Sequence, residues 1–273
     1  MFNFKSDVID FAHKIDEVSH PNEEYEKHMH IFYELLFFVK GDVIYNVEGE
    51  SHQLLKGDIV LIPSGKYHFA SVNPNVTYER YVLKFSDKIL PPHLKNKIND
   101  QSYFFTNTIA FYYHMRNLDN YFDSYDKDDI ETLFITELIQ LLIKVLRNPI
   151  KEKDKHNPFI TDLVKYIDEN IQNKITLDVL ADHFHFSKSY ISSEFKKQMK
   201  TPVIHYIKTK KIIAAHQYIL QGMNKTKVAE MFGFDEYSTF YRAYLKIISF
   251  VLTITKRMLF ELRRNETECL INI

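Results

Sequence analysis

From His28 to Leu83, short apolar runs rich in aromatic and β-branched residues alternate with polar positions. Turn-forming clusters break them at Gly41-Asp42, Glu48-Gly49, Lys56-Gly57-Asp58 and Pro63-Ser64-Gly65. Period-two alternation in short pieces predicts strands. The even eight-residue spacing of Gly41, Gly49, Gly57 and Gly65 predicts hairpins that close into a β-barrel or sandwich. From Asp126 to Arg147 the period changes, and Leu133, Ile135, Leu138, Ile139, Leu141, Leu142, Val145 and Leu146 form a wide apolar face on one helix. That face must be covered, by the chain's own barrel or by a second copy. The charged stretch from Asn148 to Pro158, bracketed by prolines, reads as a linker between a domain at 1–150 and a second at 158–255.

After Pro158 the pattern is helical and it repeats. Ala181-Asp182-His183-Phe184-His185-Phe186 aligns with Ala229-Glu230-Met231-Phe232-Gly233-Phe234. Ile191 and Phe195 align with Phe240 and Tyr244, so the offset grows from 48 to 49 residues by one insertion in the turn. Each copy reads as a helix-turn-helix, at about 175–197 and 226–246. Leu177, Leu180 and Ala181 form the packing face of the first helix of copy one, Ser187 caps its second helix, and Ile191 and Phe195 anchor that helix. Val228, Ala229, Phe232, Phe240 and Tyr244 are the counterparts in copy two. Gly233 stands at the second turn, where a left-handed residue is wanted, and His185 takes that place in the first. Phe184, Phe186 and Phe195 are expected in the core.

Composition narrows the class. With 45% hydrophobic and 15% aromatic residues the chain has enough apolar surface to fold, which excludes a disordered tail protein. Cys269 is the single cysteine, so one chain can build neither a disulfide framework nor a cysteine zinc site. No run approaches the roughly 20 apolar residues of a bilayer span, so a cytoplasmic protein without a membrane partner is expected. The net charge of −1 conceals an asymmetry: Pro158 to Phe250 holds 13 Lys and Arg against 9 Asp and Glu, whereas the N-terminal part is acidic. Basic excess on one half is a modest pointer to nucleic acid.

Ile175-Thr176-Leu177-Asp178-Val179-Leu180-Ala181, Ser187 to Lys197, Thr201 to Ile207, and Val228 to Arg242 closely resemble the two halves of an AraC-type DNA-binding domain. The resemblance implies a sequence-specific transcription regulator rather than an enzyme, acting as a homodimer on double-stranded DNA, with RNA polymerase as a further partner if it is an activator. Carried over position by position, it implies base-facing Ser189, Ser192 and Ser193 in copy one, and Tyr237, Ser238, Tyr241 and Arg242 in copy two. Lys188, Lys196, Lys197 and Lys200 become phosphate contacts, and a long helix from Val203 to Gln221 joins the copies. Only Arg242 has the fork that pairs with guanine O6 and N7. The pattern breaks after Phe250. The family has a Pro and then a Tyr with a basic residue there, as Pro202 and Tyr206 provide after copy one, whereas this chain runs Val251-Leu252-Thr253-Ile254-Thr255-Lys256-Arg257 into an atypical tail at 256–273. Codons for Phe250 to Arg257, read one frame over, can spell Cys-Pro-Tyr-Tyr-Tyr-Lys-Lys, so a reading-frame change near Phe250 is expected.

His28-Met29-His30, Glu34 and Gly41, then Gly57, Pro63, Gly65 and His68, resemble the two signature segments of the cupin barrel, with Val72 where the last signature Asn should stand and Asn73 beside it. In metal cupins the three His and the Glu converge on one ion, and imidazole with carboxylate suits Fe, Mn, Ni or Zn. Joined to a DNA-binding domain, this barrel is expected to hold a small-molecule effector, with a sugar among the candidates, and no cofactor. His28, His30, Glu34 and His68 then contact the effector, and they are the ligand set if a metal is held. Phe32, Tyr33, Tyr45, Tyr67 and Phe69 are candidate lining residues. The expected architecture is α+β in two domains: a cupin-like β-barrel with helices, then an all-α domain with two helix-turn-helix motifs. The competing reading is a metal-dependent cupin isomerase or oxygenase with a helical oligomerisation domain. The doubled motif argues against it, since oligomerisation needs no such repeat.

Overall fold

The computed structural model describes residues 3–19, 25, 27–99, 103–106, 108–121, 124–150 and 157–248. The linker positions 151–156 and everything from 249 onward, including the atypical tail and the expected frame change, lie outside the described residues. The chain divides into two compact units, 1–161 and 162–273.

Among the described residues the first unit holds nine strands: β1 (Asn3–Lys5), β2 (Ile9–Val18), β3 (Tyr33–Lys40), β4 (Val43–Val47), β5 (Glu50–Gln53), β6 (Asp58–Ile62), β7 (His68–Val72), β8 (Val76–Phe85) and β9 (Phe104–Thr106). They form a six-stranded sheet in the order β1-β2-β8-β3-β6-β9 and a three-stranded sheet in the order β5-β4-β7. Strand pairing starts at Asn3, well before the alternation that begins at His28. All four glycines of the eight-residue rhythm adopt positive φ, from 75° at Gly65 to 140° at Gly41, the conformation for which they were expected at turns.

β3 carries six consecutive buried residues, Tyr33 to Phe38, because both of its faces are covered. Leu36 and Phe38 join Val43, Tyr45 and Val47 of the small sheet and Val60, Ile62 and Val82 of the large one in a core between the sheets. Leu35 and Phe37 point the other way, into a second core with Phe11, Phe111, Phe134, Leu138, Leu141 and Leu142. That core is closed by α2 (Thr108–Tyr121) and α3 (Lys127–Val145), which follow a shorter α1 (Pro92–Asn99). The apolar face expected on the helix around Leu138 is therefore covered by the chain's own sheet. Asp126 caps α3, its side chain accepting from the amides of Asp128 and Asp129.

The second unit contains α4 (Pro158–Glu169), α5 (Leu177–Phe184), α6 (Lys188–Met199), α7 (Val203–Leu220) and α8 (Lys225–Met231), with α9 at 237–248. α5 and α6 are the first helix-turn-helix, α8 and α9 the second, and α7 joins them. No helix among the described residues is long and apolar enough to cross a membrane.

Candidate nucleic-acid interface and candidate metal centre

Local chemistry sets each recognition helix. Thr176 caps α5 by accepting from the Val179 amide, and Ser187 caps α6 by accepting from the Tyr190 amide. The turn between them needs one left-handed residue: His185 supplies it in copy one at φ 57°, and Gly233 in copy two at φ 70°. Ile191 and Phe195 are fully buried, as are Phe240 and Val228, and Tyr244 is buried beside them, so each copy hangs on its anchors as expected. α7 supports both copies. Tyr206 meets Phe195 edge to face with centroids 5.2 Å apart, and His216 Nδ1 lies 2.8 Å from the Tyr244 hydroxyl. Lys211 Nζ donates to the carbonyls of Asn173 and Phe232, and burial pulls its pKa down to about 8.

On α6, Ser189, Ser193, Lys196 and Lys197 are exposed and Ser192 is half-buried; Lys188 pairs with Asp178, and Lys197 lies 3.7 Å from Glu194. On α9, Tyr237, Ser238, Tyr241 and Arg242 are all exposed, and their spacing puts them on one face. Tyr237 and Tyr241 stack at 5.7 Å, and Arg242 Nε donates to the Ser238 carbonyl at 3.3 Å. One expectation is corrected here. Phe186 is 43% exposed rather than in the core, because it lies in the turn beyond α5, where its ring packs at a tilt on Tyr190, itself 43% exposed, with centroids 4.8 Å apart. Lys225, whose ammonium lies 5.8 Å from the centroids of both Tyr241 and Tyr244, was not among the expected residues. Its position at the start of α8 gives no sequence sign of that contact.

In the first unit, His28, His30, Glu34 and His68 come together. Their ligand atoms all lie within 4.8 Å of one another, three of the four residues are buried, and His28 is half-buried. A two-way backbone bridge joins His28 and His68, whose rings meet edge to face with centroids 4.3 Å apart, and the Gly65 amide donates to the His30 carbonyl at 2.9 Å. Alternation along β3 then turns Glu34 to the same interior face as Leu36 and Phe38. Tyr45 shares this core, whereas Tyr33 points to the helix side, its hydroxyl donating to Asn99 at 3.2 Å.

The hydrogen-bond pattern fits a metal. His30 Nδ1 is 2.9 Å from the Phe32 carbonyl and His68 Nδ1 is 2.9 Å from the Lys66 carbonyl. A carbonyl only accepts, so both Nδ1 atoms carry the hydrogen and each neutral ring turns an unprotonated Nε2 inward. Burial lowers the pKa of both rings, His68 to about 4, so they stay neutral near pH 7. Burial pushes the Glu34 carboxyl up, but the Lys84 ammonium beside it pulls it down, and the carboxyl ends well below the usual carboxylate range. His30 Nε2 then faces Glu34 Oε2 at 3.0 Å, lone pair against lone pair, and His68 Nε2 is buried without a hydrogen-bond partner among the described residues. A divalent cation among these atoms relieves both.

Comparison with known proteins agrees with this division. The family model for an AraC-like ligand binding domain matches residues 15–142, and that for a helix-turn-helix domain matches residues 180–253. The chain is similar to the HTH-type transcriptional activator AarP of Providencia stuartii, 28% identical over 107 residues that make up 36% of this chain and 79% of that protein. It is 33% identical over 73 residues to the bifunctional transcriptional activator/DNA repair enzyme AdaA of Bacillus subtilis, covering 27% of this chain and 35% of that one. It is 24% identical over 102 residues to the transcriptional regulatory protein HptR of Staphylococcus aureus, covering 36% and 40%. The chain thus spans well under half the length of the last two. Among solved structures, an apo ToxT variant from Vibrio cholerae aligns over 86% of this chain and 93% of its own at 10% identity, with a TM-score of 0.35, too low to inform the arrangement of this chain.

Proposed function

The chain belongs to the AraC-type helix-turn-helix regulators, and from that premise we propose that it acts as a homodimer whose hold on DNA depends on what its N-terminal barrel contains. The single observation that carries the ligand part is the convergence of His28, His30, Glu34 and His68 within 4.8 Å, with both buried imidazoles turned to present Nε2. These four residues would hold a divalent transition metal, which would supply a Lewis-acid anchor for a small polar effector such as a sugar. The DNA face consists of Ser189, Ser192, Ser193, Tyr237, Ser238, Tyr241 and Arg242 for the bases and Lys188, Lys196 and Lys197 for phosphates. A regulator of this kind works in the cytoplasm, with RNA polymerase as its partner where it activates. Occupancy of the barrel changes DNA binding only if the occupied form suits one arrangement of the dimer better than another.

Metal analysis of the full chain tests the ligand part: about one equivalent of transition metal is expected after purification, lost in His30→Ala. No metal in either protein removes that part of the reading and leaves the DNA-binding part standing. The same buried four-residue set favours one other reading, a metal-dependent isomerase or oxygenase. That reading predicts turnover of a small substrate with no salt-sensitive occupancy of any genomic site.

A further inference from the structure

Lys84 lies on β8 directly opposite Glu34 of β3. Its ammonium is 3.5 Å from Glu34 Oε2, the same oxygen that His30 Nε2 approaches to 3.0 Å and His68 Nε2 to 4.0 Å. Both side chains are withdrawn from solvent, 13% exposed for Lys84 and 5% for Glu34. The ammonium therefore forms an ion pair with the Glu34 carboxylate inside the barrel, at the oxygen that the imidazoles also approach. A divalent ion bound by Glu34 would share one buried carboxylate with that ammonium, and two cations at such range repel strongly where water is scarce. The register offers the ammonium another partner: on its other side Lys84 faces Asp10 of β2, whose carboxylate Lys5 already contacts at 3.0 Å. Residues directly opposed in an antiparallel pair share a face, so Glu34, Lys84 and Asp10 form one row across three strands.

We propose that Lys84 is a built-in competitor for the metal site, holding Glu34 in the metal-free barrel and turning toward Asp10 when a divalent ion binds, so that this lysine sets the metal affinity. The inference rests on the metal reading given above for His28, His30, Glu34 and His68. Unlike a ligand, Lys84 acts by weakening binding, and its removal tightens the site.

The test is titration of the metal-stripped full chain with Co(II), followed by the visible absorption of the bound ion and by thermal unfolding. Lys84→Met is expected to bind Co(II) at least tenfold more tightly than the wild type, to melt lower without metal, and to gain more melting temperature on Co(II) addition. Lys84→Arg, which keeps the charge, is expected to behave as the wild type. Asp10→Asn, which removes the second partner, is expected to bind Co(II) several-fold more weakly. Folding of Lys84→Met only in the presence of Co(II) would support the proposal as well. Equal or weaker binding by Lys84→Met would overturn it and leave the metal reading intact. No Co(II) binding by either the wild type or Lys84→Met would overturn both.

Discussion

On the proposed DNA face, Arg242 is the residue best suited to discriminate between bases. Exposed on α9, it has the one guanidinium fork on the expected base-facing set, while copy one offers serines. Arg242→Ala should cost about 1–3 kcal/mol on the preferred site and relax the preference at one base position, as measured by binding to a library of single-base variants. Lys196→Ala should instead weaken binding to all sequences alike and lower the salt slope by about 1. Lys211 gives a pH prediction of opposite character. Its pKa is about 8 when folded, against an unfolded value near 10.4, so the unfolded chain binds more protons between these values and stability rises with pH there. Urea unfolding of the wild type and of Lys211→Met should therefore diverge in favour of the wild type from pH 8 to 10, and a constant gap would contradict it. The exposure of the positions proposed to face DNA was legible because each copy carries its own helical register. Lys84 and Lys211 were not, since one depends on the pairing of β8 with β3 and the other on a helix reaching two distant carbonyls.

At the scale of elements, the two turns of the repeat make a controlled comparison. Gly233 is left-handed at φ 70°, and a Cβ there would come within 3.3 Å of the Gln172 carbonyl oxygen and 3.4 Å of the Lys174 nitrogen, both backbone atoms. Gly233→Ala should destabilise by about 1–2 kcal/mol, from the conformational cost of a left-handed residue with a further contribution from that contact. His185 holds the same conformation at φ 57° and is exposed, so His185→Gly should stabilise by about 0.5–1 kcal/mol once the added freedom of the unfolded chain is set against the relieved strain. Urea midpoints for both variants give the check, and a loss of stability in His185→Gly would show that its side chain has a role the turn conceals. The helix-turn-helix elements were legible because caps, anchors and turns are local signals. β1, β2 and α2 were harder: β1 has only 3 residues, β2 is mostly half-buried beyond Phe11, and α2 is recognisable mainly by the core it covers.

For the whole molecule, a net charge of −1 divides into a basic DNA-binding half and an acidic barrel half, so its affinity for DNA should fall steeply as salt rises although the chain as a whole is not basic. The sequence motif around His28, His30, Glu34 and His68 marked the barrel site, but only the fold shows that its Nε2 atoms converge and that Lys84 shares Glu34 with them. The central claim, that occupancy of this site changes DNA binding, is tested most directly by fluorescence-anisotropy titration of a genomic site that the full chain occupies in cells, comparing Co(II)-loaded with metal-stripped protein at fixed salt. A difference of about fivefold or more is expected, the usual scale of coupling between two sites, and it should vanish in His68→Ala while salt-sensitive binding remains. Equal affinity of the loaded and stripped wild type would contradict the claim.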